Sequence, residues 1–95
     1  MQSGKILEAH RAQGAINELL TGHWLPGKTL LFVGAVGAVT RLIAPLLQGK
    51  EHDPAVLVLD PKGRWVIPLL GGHSSAAEQR ARELAGMLQA SPVLT

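Results

Sequence analysis

The chain contains no cysteine and no tyrosine in its 95 residues, and these absences limit what it can do. Without cysteine there is no disulfide framework, no thiolate metal ligand and no thiol nucleophile, which is compatible with a protein of the reducing cytoplasm. The aromatic residues are Trp24, Phe32 and Trp65 only. They are too few to form the stacking platform on which proteins bind single-stranded nucleic acid, so that class of function is not expected.

Charge is also scarce in this sequence. Charged residues make up 17% of the chain, below the usual share of about a quarter, while hydrophobic residues make up 46%. The nine basic residues are interleaved with seven acidic ones, so the net charge of +2 is not concentrated in a basic block. This composition indicates one apolar globular domain with a modest core, and it argues against nucleic acid as the main partner.

No segment is well suited to a membrane. The N-terminus lacks a basic region followed by an apolar run, so we expect no signal peptide. Residues 30–47 approach the length of about 20 residues that a spanning helix needs, but Gly34, Gly37, Arg41 and Pro45 interrupt them. We therefore expect two buried elements separated by a glycine turn, a cytoplasmic protein and no membrane partner.

Three apolar runs predict strands. Residues 29–33 and 55–59 are continuously apolar and of strand length, as expected for strands covered on both faces. Asp60-Pro61-Lys62-Gly63 has the residue types of a type I turn, which predicts a hairpin to a strand at 65–70. Pro68 should cause an unpaired position or a bulge in that strand, because proline has no backbone N–H to donate.

Helical spacing is found between the first two predicted strands and again after the third. Apolar residues from 39 to 47 recur on one helix face, and Pro45 should make the last turn irregular. Ser75 and Glu78 have the spacing of a capping box, which predicts the start of a second long helix. Weaker patterns predict a short helix at 15–20 and a last strand at 92–95.

The order of these elements predicts an α/β fold. We expect a small three-layer-like domain with a mixed sheet of about four strands and two to three helices. Residues 1–28 are interpreted as an N-terminal helical segment and residues 29–95 as the α/β domain, which together form a single domain within a longer protein.

The hairpin predicts which polar residues meet. If Asp60 opposes Trp65 and no bulge intervenes, Asp53 lies opposite Gly72 and beside His73. One end of the sheet would then gather the polar side chains of two loops: Lys50, His52, Asp53, His73, Ser74 and Ser75.

Each feature has a structural and a functional interpretation. His73 is either a hydrogen-bonded surface histidine or a general acid or base that Asp53 orients. Gly34 and Gly37, at the opposite end of the sheet, either permit tight packing or bind an anion through backbone amides. Arg41 either lies on a solvated helix face or binds a carboxylate in a bidentate manner.

Other motifs are explained structurally or are absent. The structural interpretation of Gly71-Gly72 is that the chain needs unusual dihedral angles at the entry to a helix, and a role in the site is left open. His52, His73 and Asp53 are too few for a metal site with four protein ligands, so we assign none. The sequence has no GxSxG, Walker or HExxH motif.

Ordered short motifs run through residues 31–95. They are a glycine-alanine turn, an arginine before an Ala-Pro-Leu segment, Lys-x-x-Asp-Pro-Ala-Val, Asp-x-x-Gly, Leu-x-Gly-His, a helix and Pro-Val. The matching positions are Gly34, Gly37, Arg41, Ala44, Pro45, Lys50, Asp53, Pro54, Asp60, Gly63, Gly72 and His73. This ordered set resembles the N-terminal domain of the cobalamin-biosynthesis protein CbiG.

The resemblance implies a place in the anaerobic construction of the corrin ring, where CbiG hydrolyses the lactone of cobalt-precorrin 5A and releases acetaldehyde. It implies a cobalt-corrin intermediate as partner and no cofactor, since cobalt is present only within the substrate. On this basis His73 and Asp53 are the predicted catalytic pair. Substrate binding is assigned to Gly34, Gly37, Arg41, Lys50, Gly72, Ser74 and Ser75.

One departure from the family pattern keeps an alternative open. Ser74-Ser75-Ala76-Ala77-Glu78 follows Gly-His where the family usually has Leu-Gly-Gly-Ala-Asn. The change removes glycines that let a ligand approach the backbone. The alternative is a non-catalytic corrinoid-binding or scaffolding module fused to a corrin-pathway methyltransferase. Its partners would be other domains of the same polypeptide or corrin-pathway enzymes, and the pairing of two copies is left open.

Overall fold

The computed structural model describes residues 16–71 and 75–93. Its elements, in chain order, are α1 (Ile16–His23), β1 (Thr29–Val33), α2 (Val36–Ile43), a 3-10 turn (Ala44–Leu46), β2 (Ala55–Leu59), β3 (Trp65–Leu70), α3 (Ser75–Leu88) and β4 (Ser91–Pro92). The predicted order of helices and strands is confirmed.

The strands form one mixed sheet in the order β1, β2, β3, β4. β1 is parallel to β2, β2 is antiparallel to β3, and β3 is parallel to β4. At one end of the sheet β1 and β2 begin and β3 ends. We call this end the cleft end, because the cleft described below lies there. The opposite end, where a turn joins β2 to β3, is the hairpin end. The predicted α/β fold is confirmed.

Helices cover both faces of the sheet, with β2 at the centre. Three consecutive residues of β2 are 0% exposed, although neighbouring strand residues point to opposite faces. On one face the core consists of Trp24, Val39, Ile43, Val56 and Val58, and on the other of Leu57, Val66, Ala81, Leu84 and Ala85. The sheet is therefore the middle of three layers, as its continuous apolar runs predicted.

The turn at the hairpin end has the predicted structure. The Gly63 amide donates to the Asp60 carbonyl at 2.8 Å, and Gly63 has φ +72°. The Asp60 carboxylate accepts from the amides of Arg64 and Trp65 at 2.5 and 2.8 Å. Desolvation alone would raise the pKa of Asp60, but these hydrogen bonds outweigh it and lower that pKa. Asp60 thus fixes the turn with both its backbone and its side chain.

The strand register differs from the uninterrupted pairing considered above. Leu59 pairs with Val66 and Leu57 with Pro68, but Val56 pairs with Leu70 instead of Leu69. A bulge lies between these two pairs, next to the proline that cannot donate to the ladder. The bulge predicted at Pro68 is confirmed, and the bulge-free register that placed Asp53 opposite Gly72 is wrong.

Three predicted boundaries are shifted. The short helix expected at 15–20 extends to His23. The helix expected to reach residue 47 ends as an α-helix at Ile43, because Pro45 cannot donate its nitrogen and a 3-10 turn follows. The last strand begins at Ser91, one residue earlier than predicted, and the Val93 amide continues its pairing to the Val66 carbonyl at 2.9 Å. Residues 94 and 95 lie outside the described part of the chain.

Within residues 16–71 and 75–93, the helices are too short and too polar to cross a lipid bilayer. Residues 30–47, considered above as an alternative membrane span, instead form β1, α2 and the 3-10 turn.

Gly71 is required by the backbone, whereas Gly34 is not. Gly71 has φ +75°, and a Cβ there would lie 3.2 Å from Ala55 Cα. The structural interpretation of Gly71 is thus confirmed, while Gly72 lies outside the described residues. A Cβ at Gly34 would meet nothing within 4 Å, and the φ of Gly34 is not positive.

We expect Gly71→Ala to lower the free energy of unfolding by about 1 to 2 kcal/mol, because alanine is strained at positive φ and its Cβ presses on the Ala55 backbone. Gly34→Ala is the matched control and should leave stability unchanged or slightly raised. Urea unfolding followed by circular dichroism measures both. Equal stability of the two variants would contradict the backbone requirement at Gly71.

Candidate functional site

A cleft of about 270 Å³ opens at the cleft end of the sheet. Three cationic side chains are among its lining residues: Lys28 precedes β1, Lys50 precedes β2, and Arg80 lies on α3. Among the residues that the structure describes, the lining consists of Pro26, Gly27, Lys28, Lys50, Glu51, Asp53, Ala55, Gly71, Ala77 and Arg80. Cations from three separate segments therefore surround one concave surface.

Lys28 is placed by the start of the parallel strand pair. Its carbonyl accepts a hydrogen bond from the Ala55 amide at 2.9 Å, which ties the entry of β1 to the entry of β2. The Lys28 ammonium lies 3.5 Å from His23 Nδ1. The lysine is thus held at its backbone, its side chain is exposed, and the residue lines the cleft.

Arg80 lines the cleft from α3, the helix on the face of the sheet opposite to α2. It is half-buried on α3, and its guanidinium donates to the Thr29 hydroxyl at the start of β1. A guanidinium carries five N–H donors in a planar fork, so this bond leaves others for a ligand. The Thr29 contact therefore orients Arg80 and preserves its capacity to bind a carboxylate with two parallel hydrogen bonds.

The Asp53 carboxylate organises the loop that carries Lys50. It accepts from the Gln48 amide at 2.8 Å and the Gly49 amide at 3.1 Å. The buried Trp24 indole donates to the same carboxylate at 3.0 Å. The Gly49 carbonyl in turn accepts from the amides of His52 and Asp53, each at 3.0 Å. We call this set of bonds around Asp53 the Asp53 clasp.

The clasp keeps Asp53 ionised. Desolvation alone would raise its pKa, but the amides of Gln48 and Gly49, the Trp24 indole and the nearby His52 together lower it. Because hydrogen bonds to the charged form favour that form, the Asp53 carboxylate is a stable anion at neutral pH. Asp53 and Glu51 therefore offset part of the positive charge of the three cationic residues that line the cleft.

The structure brings together some of the predicted site residues. Lys50 and Asp53 line the cleft, and Ser75 begins α3. Gly72, His73 and Ser74 lie outside the described residues, as does the side chain of Ser75 with its predicted capping box.

Gly34, Gly37 and Arg41 do not line this cleft. The Gly34 amide donates to the Leu59 carbonyl at 3.0 Å, so it is already engaged in the sheet. A Cβ at either glycine would meet nothing within 4 Å, so the tight-packing interpretation of the pair is wrong. Arg41 is exposed in the last turn of α2.

Sequence reasoning missed Lys28, Arg80 and Trp24 as residues of this region. Arg80 had a detectable signal, because it lies three residues after Ala77 and next to Ala81 within the apolar stripe of α3. Lys28 directly precedes the apolar strand β1, and the loop of Lys50 precedes the apolar strand β2. Nothing in the sequence indicated that Trp24 donates to Asp53, since 29 residues separate them.

Among the residues that the structure describes, no three histidine, aspartate or glutamate side chains are grouped as metal ligands would be. The fold and the cleft define a class: a three-layer α/β domain with a mixed four-stranded sheet and a basic cleft at one end of it.

Comparison with known proteins identifies the family. Residues 18–95 match the family model CbiG_N, described as cobalamin synthesis G N-terminal, and the chain belongs to this family. The resemblance found in the sequence is thereby confirmed.

Two curated relatives carry the name cobalt-precorrin-5A hydrolase. The one from Salmonella typhimurium is 52% identical over 66 residues, covering 70% of this chain and 19% of the relative. The one from Priestia megaterium is 44% identical over 82 residues, covering 86% of this chain and 22% of the relative. The chain thus spans about a fifth of the length of these relatives.

A solved structure has the same fold. The crystal structure of a cobalamin biosynthesis protein G homolog from Sulfolobus solfataricus matches with a TM-score of 0.71 and 37% identity. The match covers 80% of this chain and 24% of that chain.

We expect Asp53→Asn to lower the free energy of unfolding at pH 7 by about 2 kcal/mol, because asparagine loses the charge and offers an N–H to the Gly49 amide. The folded-state pKa of Asp53 is lowered, so the stability that it contributes is fully present above its unfolded pKa of about 4 and is lost as the pH falls through the folded value. The difference between wild type and variant should therefore shrink in acid.

Urea unfolding at pH 7 and near pH 2.5 measures this difference. Glu51→Gln, at an exposed carboxylate of the same loop, is the control and should have little effect at either pH. A stability difference for Asp53→Asn that is the same at both pH values would contradict the role of the ionised carboxylate.

Proposed function

We propose that this chain works in cobalamin biosynthesis as the N-terminal domain of a cobalt-precorrin-5A hydrolase, and that its cleft binds acidic side chains of the cobalt-corrin intermediate. The observation that carries the proposal is the convergence of Lys28, Lys50 and Arg80 on one cleft. The family membership and the names of both curated relatives support it. We further propose that the protein acts in the cytoplasm, with cobalt present only within the substrate and without a cofactor of its own.

The chemistry of the cations fits the substrate. Tetrapyrrole precursors carry carboxylates around the ring, and a planar guanidinium binds a carboxylate with two hydrogen bonds while lysines act as point charges. The cleft volume of about 270 Å³ lies below the range usual for a complete drug-sized ligand. The cleft therefore suits one or two carboxylate arms, and the ring itself would extend toward the other domains of the longer polypeptide.

The hydrolytic step would use the loop that follows Gly71. Lactone opening needs a base that activates water and donors for the oxyanion that develops. His73 is the proposed base, and the amides of Ser74 and Ser75 are the proposed donors. In the sequence, His73 lies between Gly71 and Ala77, both of which line the cleft.

Asp53 remains the proposed partner of His73. An ionised carboxylate has about four acceptor positions, and the Asp53 clasp occupies three of them. One position is left for an imidazole N–H, which would set the tautomer of His73. Gly34, Gly37 and Arg41 remain proposed contacts of another part of the substrate, since the cleft does not include them.

The alternative of a scaffolding module fused to a methyltransferase is not favoured, because both curated relatives are named as hydrolases. Release of the two-carbon fragment as acetaldehyde after lactone opening is part of the present proposal.

We expect the chain to bind cobyrinic acid, a corrinoid with free carboxylates, and to bind cobinamide, whose side chains are amides, at least about tenfold more weakly. Arg80→Ala and Lys50→Ala should each weaken cobyrinic acid binding about tenfold, the value of one charged hydrogen bond. Titration followed by visible absorption gives the dissociation constants.

Arg82→Ala and Lys62→Ala are the matched controls for charge. Arg82 pairs with Glu78 at 3.6 Å on the same helix, and Lys62 is exposed at the hairpin end. Both should bind as the wild type does. Equal affinity for the two corrinoids, or equal effects of site and control variants, would contradict carboxylate binding in the cleft.

In a full-length cobalt-precorrin-5A hydrolase that carries this domain, we expect His73→Ala to lower the rate of acetaldehyde release by about 100-fold or more with little change in KM, because only the base is lost. His52→Ala, at an exposed histidine of the neighbouring loop, is the control. Undiminished release by His73→Ala would remove the catalytic assignment.

A further inference from the structure

We propose that Trp24 is a positioning residue for substrate binding, which acts through the Asp53 clasp to hold Lys50 at the cleft. This inference rests on the proposed binding of carboxylates by the cleft. Trp24 does not line the cleft, so its effect must pass through the loop that does.

The indole of Trp24 is a fixed reference point. Trp24 is 7% exposed and packs in the core with Ile43 and Val56. A buried indole N–H needs an acceptor, and the Asp53 carboxylate supplies it at 3.0 Å. The position of Asp53 is therefore set by the hydrophobic core and not only by its own loop.

The same carboxylate sets the path of the loop. Its hydrogen bonds from the amides of Gln48 and Gly49 fix the two residues before Lys50. Asp53 itself lies three residues after Lys50, so the loop is fixed on both sides of the lysine. Lys50 lies between these two points. Without the hydrogen bond from the indole, the carboxylate can rotate away from the loop amides. The backbone that carries Lys50 is then no longer linked to the hydrophobic core.

Arg80 does not depend on the clasp. It lies on α3, in the layer on the other face of the sheet, and its guanidinium is anchored to Thr29. The structure therefore predicts a selective coupling. Substitution of Trp24 should reduce the contribution of Lys50 to substrate affinity and leave the contribution of Arg80 unchanged. A loss of packing alone would weaken both contributions.

A double-mutant cycle on the full chain tests this coupling with cobyrinic acid as the probe. Trp24→Phe keeps an aromatic ring in the core but removes the N–H donor. We expect Trp24→Phe and Lys50→Ala each to weaken binding about tenfold, and the double variant to be no weaker than Lys50→Ala alone. Trp24→Phe combined with Arg80→Ala should instead multiply the two losses to about 100-fold.

Trp65→Phe is the matched control, because Trp65 is a partly exposed tryptophan at the hairpin end. It should leave affinity unchanged. If Trp24→Phe does not fold, Asp53→Asn replaces it in the same cycle, because it breaks the clasp from the carboxylate side. Since Asp53 also lines the cleft, the comparison then uses only the difference between the couplings to Lys50 and to Arg80, and not the affinity of the single variant.

The outcomes separate this inference from the proposed function. If Trp24→Phe and Lys50→Ala multiply their losses, or if Trp24→Phe leaves affinity unchanged, the positioning role is wrong while carboxylate binding stands. If Lys50→Ala and Arg80→Ala both lose their effect on affinity to the same extent when Trp24→Phe is present, Trp24 has a general structural role. That result also overturns the proposal. If neither Lys50→Ala nor Arg80→Ala weakens binding in the wild-type background, the proposed function fails, and the positioning role fails with it.

Discussion

The burial of β2 on both faces is the constraint on which the rest of the structure depends. A strand with no solvent-exposed face needs a helical layer on each side and a neighbouring strand along each edge. A crossover through α2 supplies the parallel neighbour, and a tight turn supplies the antiparallel one. As a consequence, the chain enters β1 and β2 and leaves β3 at the same end of the sheet, where the cleft forms.

The cleft concentrates positive charge in a chain that has little of it. Lys28, Lys50 and Arg80 reach the cleft from the entries of two strands and from a helix in another layer. Asp53 and Glu51 line the same cleft, and three donors hold the Asp53 carboxylate in place. The three cationic residues outnumber the two acidic ones, so the cleft keeps a net attraction for an anion.

The size of the cleft is consistent with a domain that forms one part of a larger site. The chain spans about a fifth of the length of its curated relatives, and the cleft volume suits a side-chain carboxylate better than a whole macrocycle. In the proposed arrangement the cleft binds carboxylates at the periphery of the substrate.

Local patterns were enough to predict most of the fold. The apolar run of β2 indicated a strand buried on both faces, the turn residues indicated the hairpin, and Pro68 indicated the bulge, because each depends on neighbouring residues. The same prediction was wrong for residues 29–33, because β1 is the edge strand of the sheet and none of its residues is fully buried. The predicted hairpin also placed Lys50 and Asp53 at the end of the sheet where the cleft lies. It could not show that Arg80 binds Thr29 across 51 residues or that Trp24 donates to Asp53 across 29, since neither pair has a local pattern. Only the packing of three layers brings such distant side chains together, and that packing also decided that Asp53 organises a loop.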